Sequence, residues 1–190
     1  RRLTFDELFI TTLMLFKLKN ENKKEKGPSF KKEVLLSPVI DDLPFKLTNA
    51  QIRVLNEIED DLEKDKSMDR LLQGDVGSGK TIIAILSSYK AVKSGYQVAM
   101  LAPTAILVMQ HFDNFKKNLE KYGIKIDILK SGLKKKEKED ILLGIKNGDI
   151  DIIIGTHALL EEDVEFNNLG LVITDEQHRF GVKQREAIFA

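Results

Sequence analysis

From residue 68 onward the chain alternates between short apolar runs and longer stretches with helical spacing. The apolar runs lie at 70–73 (RLLQ), 96–102 (YQVAMLA), 125–130 (KIDILK), 151–155 (DIIIG) and 169–174 (LGLVIT). Helical segments at 79–93, 104–121 and 134–147 separate the first four, and residues 156–168 leave room for only a brief helix. Strands joined by helices cannot pair as hairpins. Each must return to its starting end, which makes a mainly parallel sheet with helices on both faces. The expected fold class is therefore α/β. In such sheets ligands sit beyond the carboxyl ends of the strands. Function is then sought at 74–81, 102–105, 131–134, 155–160 and 175–178.

The first of these stretches is GDVGSGKT: Gly74, Asp75, Val76, Gly77, Ser78, Gly79, Lys80 and Thr81. It fits G-x-x-x-x-G-K-[ST] and stands between an expected strand and an expected helix, the context that a phosphate loop requires. The glycines allow backbone conformations that a Cβ would forbid. Successive N–H groups can then face phosphate oxygens, and the start of the next helix adds its positive end. Lys80 would bring a point charge to the β and γ phosphates, and the Thr81 hydroxyl would ligate Mg²⁺.

The last stretch sets an apolar strand directly against Asp175, Glu176, Gln177 and His178. Its aliphatic residues read as meant for burial. A phosphate-loop enzyme needs a carboxylate on a neighbouring strand end to hold magnesium, and Asp175 fits that place. Glu176 beside it can orient and polarise the attacking water, so the expected catalytic residues are Glu176, Lys80 and Asp175. A zinc or di-metal site built from His111, His157 and His178 is an alternative, although their spacing matches no ligand motif.

Asp175-Glu176-Gln177-His178 has the D-E-x-H form and resembles motif II of the superfamily-two helicases and translocases. That resemblance implies that Gln177, His178 and Arg179 couple the nucleotide to a second motor domain and to nucleic acid. PFKLTNAQ, residues 44–51, resembles the same family's Q motif. There Gln51 would read the adenine edge and Phe45 would pack near the base. LAPTAILVMQHF at 101–112 resembles motif Ia, with Pro103 and Thr104 as candidate DNA contacts, and GTHALL at 155–160 resembles a later DNA-contacting motif, with Gly155, Thr156 and His157. SGLKKKEK at 131–138 lies between them and adds Ser131, Gly132 and Lys134, although a solvated helix start is the plainer reading. Such groups bind phosphates without reading bases.

MDRLLQGDVGSGKT and DEQHRFGVKQR extend the similarity to the RecG family of ATP-dependent DNA helicases, over the whole chain. The resemblance implies a RecA-like P-loop NTPase domain that uses ATP and Mg²⁺. It implies an activity on branched or forked DNA, in recombination and repair, within the bacterial cytoplasm and as a monomer. It also implies a division at residue 43. Residues 1–43 would be a helix and linker from a DNA-binding wedge domain, and 44–190 would be the first motor domain. The wedge and the second motor domain, with its arginine finger, would lie outside these 190 residues. The transcription-repair coupling factors are the related alternative. They typically carry Glu at the place of Gln177 and a bulky residue at that of Ser78. Met109 and Thr174 depart from the RecG pattern without removing a catalytic group.

Composition adds limits. The chain has no cysteine, so disulfides and thiolate metal sites are excluded, which fits a reducing compartment. Thirty basic and thirty acidic residues cancel, so net charge alone gives no sign of a nucleic-acid partner. The charge is local instead, with seven lysines in 17–32 and five in 130–138. The opening RRLTFDELFITTLMLFKLKN has the outline of a signal peptide, but Asp6 and Glu7 interrupt it and no small-residue cleavage site follows. Its spacing predicts a helix over 4–20, followed by an extended linker at 28–47 with three prolines, and then a helix at 48–65. No stretch is long enough to span a membrane. Two rivals from other classes remain: a small-molecule kinase, and a nucleotide-binding module that never hydrolyses.

Overall fold

A computed structural model describes residues 27–75 and 77–176. The helix expected over 4–20, Val76, and the coupling residues Gln177, His178 and Arg179 lie outside those residues.

Four strands form one parallel sheet in the order β2-β3-β1-β4. They are β1 (Gln97–Leu101), β2 (Ile126–Leu129), β3 (Ile152–Gly155) and β4 (Leu169–Thr174). Side chains alternate across the central strands, as a period of two requires. Val98, Met100, Ile152 and Ile154 join one core cluster, while Ala99, Leu101 and Ile153 join a second on the opposite face. Apolar residues thus continue on both faces of β1 and β3, as buried parallel strands require.

Among the described residues five α-helices accompany the sheet. They are α1 (Ser37–Asp41), α2 (Asn49–Leu62), α3 (Lys80–Lys93), α4 (Ala105–Leu119) and α5 (Lys135–Asn147). Helices α2, α3 and α4 pack on the first cluster, and α5 packs on the second through Ile141 and Ile145. Helix α3 is enclosed on several sides, burying Ile82, Ile83, Ile85, Leu86 and Tyr89. A helix apolar on most sides belongs in a core, and removing Leu86 to alanine there would cost about 2–5 kcal/mol. The brief helix expected after β3 is a 3-10 turn at His157–Leu160.

Helix α2 begins in a reciprocal cap. The Gln51 N–H donates to Thr48 Oγ1 at 3.2 Å, and the Thr48 N–H donates to Gln51 Oε1 at 2.9 Å. Two of the four orphan donors at this helix start are thereby satisfied.

Three expectations change. Residues 28–47 are not simply extended, because Pro38 stands at the start of α1, where its fixed φ suits a helix and its missing N–H costs nothing. Phe30, Leu36 and Val39 from this stretch enter the main core. Residues 70–73 form no strand: Arg70 is tied to α2 by Glu57 (2.9 Å) and Asp61 (2.6 Å), and Leu71 is 76% exposed. Finally, β4 is only half buried. Leu171 is covered, but Leu169 and Val172 are each 39% exposed, because among the described residues no strand pairs with its outer edge.

Candidate functional site

All four strands run parallel, so Leu101, Leu129, Gly155 and Thr174 end at the same edge of the sheet. The candidate residues cluster along that edge. At its start, the glycine-rich loop turns into α3 through Gly79, whose φ of 82° is left-handed and favours glycine. A Cβ on Gly79 would stand 2.2 Å from Gln51 Nε2, and one on Gly74 would stand 2.6 Å from Ser78 Oγ. Both glycines are thus positions of close approach, where any side chain would collide with Gln51 or Ser78. The Lys80 ammonium lies across it and donates to the carbonyls of Gly74 (2.6 Å) and Asp75 (2.9 Å). Thr81 follows in the first turn of α3. A glycine-rich turn with a cation and a hydroxyl at a helix start is the donor set that a Mg²⁺-bound polyphosphate needs, so the residues present fit that group.

Gln51 bridges two parts of the site. While its Oε1 caps α2, its Nε2 donates to the Ser78 carbonyl at 2.9 Å. Phe45 is half exposed beside the start of α2.

Asp175 extends the sheet one residue past β4, because its N–H donates to the Leu101 carbonyl at 2.9 Å. Its Oδ2 lies 2.8 Å from Nε2 of His111, a buried residue of α4. That hydrogen bond, against the opposing effect of burial, holds the Asp175 carboxyl below the usual carboxylate range, and the Lys80 charge acts in the same direction. Glu176 then turns sharply, with a φ of 49°. A left-handed conformation at a residue with a Cβ costs about 1 kcal/mol and is tolerated where the surroundings impose it.

The candidate DNA contacts divide by exposure. Thr104, Ser131, Gly132, Lys134 and His157 are exposed and Pro103 is half-buried, while Gly155 and Thr156 are buried. Thr104 caps α4, accepting from the Leu107 N–H at 3.3 Å, and Lys134 precedes α5. At Gly155 a Cβ would meet the Leu129 carbonyl at 2.3 Å, so this glycine permits close packing of β3. Among the described residues no group of three or more His, Asp or Glu could hold a metal ion. Of the three histidines in the zinc alternative, His111 faces Asp175 and His157 stands exposed on the 3-10 turn, while His178 lies outside the described residues. No helix among the described residues is long and apolar enough to cross a membrane.

The link between His111 and Asp175 was not foreseen from the sequence. Sixty-four positions separate the two, and only the topology joins them. A histidine seven residues into an amphipathic helix, on the Val108 and Phe115 side, was the available signal.

Comparison with known proteins gives a consistent picture. The chain is 51% identical over 189 residues to the ATP-dependent DNA helicase RecG of Aquifex aeolicus, covering 99% of this chain and 24% of that protein. It superposes with a TM-score of 0.87 and 47% identity on a solved structure of RecG bound to a three-way DNA junction, covering 95% of this chain and 25% of that one. The transcription-repair-coupling factor of Bacillus subtilis is similar at 43% identity over 92% of this chain and 15% of that protein. The chain spans about a quarter of the length of the RecG relatives it matches. The family model for DEAD/DEAH box helicases matches residues 48–190, three quarters of the sequence, and the chain accordingly belongs to that family.

Proposed function

We propose that this chain is the nucleotide-binding half of an ATP-driven DNA helicase of the RecG type, acting on forked or branched duplexes in bacterial recombination and repair. One arrangement carries the nucleotide reading: Lys80 lies against the glycine-rich turn at the start of α3, while Asp175 continues the sheet at the end of β4 beside the Leu101 carbonyl. The RecG rather than the coupling-factor form is favoured by the higher identity, 51% against 43%.

The residues then divide the work. Backbone N–H groups of 74–79 and the start of α3 receive phosphate oxygens. Lys80 sets its charge against the β and γ phosphates. The Thr81 hydroxyl and the Asp175 carboxylate hold Mg²⁺, which when bound neutralises charge on the transferring phosphoryl group. Glu176 accepts the proton of the attacking water. Gln51 presents its amide to the adenine edge, with Phe45 against the base. Pro103, Thr104, Ser131, Gly132, Lys134, Gly155, Thr156 and His157 lie on the side that meets DNA backbone, the two buried ones through main-chain groups. Gln177, His178 and Arg179 pass the nucleotide state to a second motor domain, which supplies the arginine for the transition state. Residues 1–43 join the motor to a wedge domain, and the whole acts as a monomer in the cytoplasm.

The test is ATP turnover by the longer protein that contains this chain, with no DNA, linear duplex, and forked duplex. Stimulation greatest with the fork is expected. Turnover indifferent to DNA points instead to a phosphotransferase of another kind.

A further inference from the structure

Among the described residues the buried histidine on α4 has one polar partner, and that partner is the acid at the end of β4. His111 Nε2 stands 2.8 Å from Asp175 Oδ2, with the histidine side chain 8% exposed. Its other ring nitrogen, Nδ1, is buried without a hydrogen-bond partner among the described residues. If the ring served only to fill the core between Val108 and Phe115, a phenylalanine or leucine would do so without desolvating two nitrogens. The polar end of the ring is spent on one carboxylate oxygen.

The main chain of Asp175 is already fixed by its hydrogen bond to Leu101, and the turn at Glu176 follows at once. What the sheet cannot fix is the rotation of the carboxylate about its own side-chain bonds. An N–H donor on Oδ2 does so, and thereby determines where the second oxygen sits. Groups that orient a ligating carboxylate from behind typically change metal affinity by 10–100-fold when removed.

We propose that His111 is a positioning residue, holding the Asp175 carboxylate in the orientation in which it binds the metal ion that accompanies the nucleotide. This rests on the reading of the site as a Mg²⁺–nucleotide site. The donor is the Nε2–H, so a side chain that places an N–H there should substitute for it. Glutamine reaches about as far as Nε2, and asparagine reaches only about as far as Nδ1.

The experiment uses the longer protein that contains this chain, with Mn²⁺ as the metal probe, titrated in the presence of ADP and followed by the EPR signal of the free ion. ADP affinity in EDTA is measured alongside. His111→Leu should weaken Mn²⁺ binding in the ADP complex by about 10–100-fold and leave metal-free ADP binding unchanged. His111→Gln should recover most of the loss, and His111→Asn should not. The Gln and Asn pair keeps the test decisive should His111→Leu fail to fold. Wild-type Mn²⁺ affinity in His111→Leu overturns the proposal, as does an equal loss of metal-free ADP binding. Indistinguishable Gln and Asn variants overturn it as well. Metal-dependent ADP binding that is lost in Asp175→Asn yet kept in His111→Leu overturns this proposal alone, whereas its absence from the wild type overturns the nucleotide reading too.

Discussion

Gln51 serves two masters, and its replacement separates them. Its Oε1 caps α2 while its Nε2 holds the Ser78 carbonyl of the phosphate loop. Gln51→Ala should therefore cost about 0.5–1.5 kcal/mol of stability for the lost hydrogen bond to the Thr48 N–H, which urea titration would read. If the amide also meets adenine, the preference for ATP over GTP should relax by about 1–3 kcal/mol in competition binding. An unchanged preference with a lowered stability means that the residue only caps and braces. The two acids are separable in the same way. Glu176→Gln preserves shape but cannot accept a proton, so it should bind Mg²⁺–ATP and fail to turn it over. Asp175→Asn should instead raise the magnesium requirement for binding. Identical magnesium titrations for both variants would refute that division of roles.

At the scale of elements, two polar contacts, one buried and one near the surface, help fix the helices to one another. Lys90 of α3 is 2% exposed at its side chain and donates to Glu59 of α2 (2.8 Å) and to Glu63 just after it (2.7 Å). Burial alone would lower its pKa, but the two carboxylates raise it above the usual lysine range. Lys90→Met leaves two like charges facing a buried methionine. Partial solvation of the glutamates limits the loss to about 2–3 kcal/mol in urea unfolding, and adding Glu59→Gln and Glu63→Gln should restore part of it. The second contact joins the turn after α4 to α1. The Tyr122 hydroxyl lies within hydrogen-bond reach of the Pro38 carbonyl and the Asp42 carboxylate, and burial beside Asp42 pushes its pKa up to about 12. Because the unfolded tyrosine ionises near 10, this contact stabilises fully below pH 10 and is lost as pH rises toward 12. The stability difference between wild type and Tyr122→Phe, measured by urea at successive pH values, should close over that window. A constant gap would show that the hydroxyl does not titrate against Asp42. Elements of this kind were only partly legible in the sequence. The alternation of apolar runs with helical segments located β1 to β4 and α2 to α5 within a few residues, because local periodicity and caps such as Thr48 and Thr104 fix them. Residues 70–73 have the same apolar look but no strand, since a strand exists only with a partner and none of the described residues provides one. The loop and the acid pair stood out because their spacing is local. The His111 contact, the bracing of Ser78 by Gln51 and the burial of Thr156 did not, because each depends on which strands lie side by side.

For the whole molecule, the proposed function has this chain hold the nucleotide while another domain completes the chemistry. The phosphate loop, Thr81, Asp175 and Glu176 all lie within residues 74–176. Arginine fingers contribute roughly 10³–10⁵ in rate, and the proposed function places this one on a second motor domain. The 190 residues alone should thus bind nucleotide weakly and turn it over barely, whatever DNA is present. The most direct measurement compares steady-state ATP turnover, with and without forked DNA, for three proteins: the 190-residue chain, the longer protein that contains it, and that longer protein carrying Lys80→Ala. The account predicts background turnover for the first, DNA-stimulated turnover for the second, and loss of that turnover in the third. Undiminished turnover after Lys80→Ala, or strong DNA-stimulated turnover by the 190 residues alone, would contradict it.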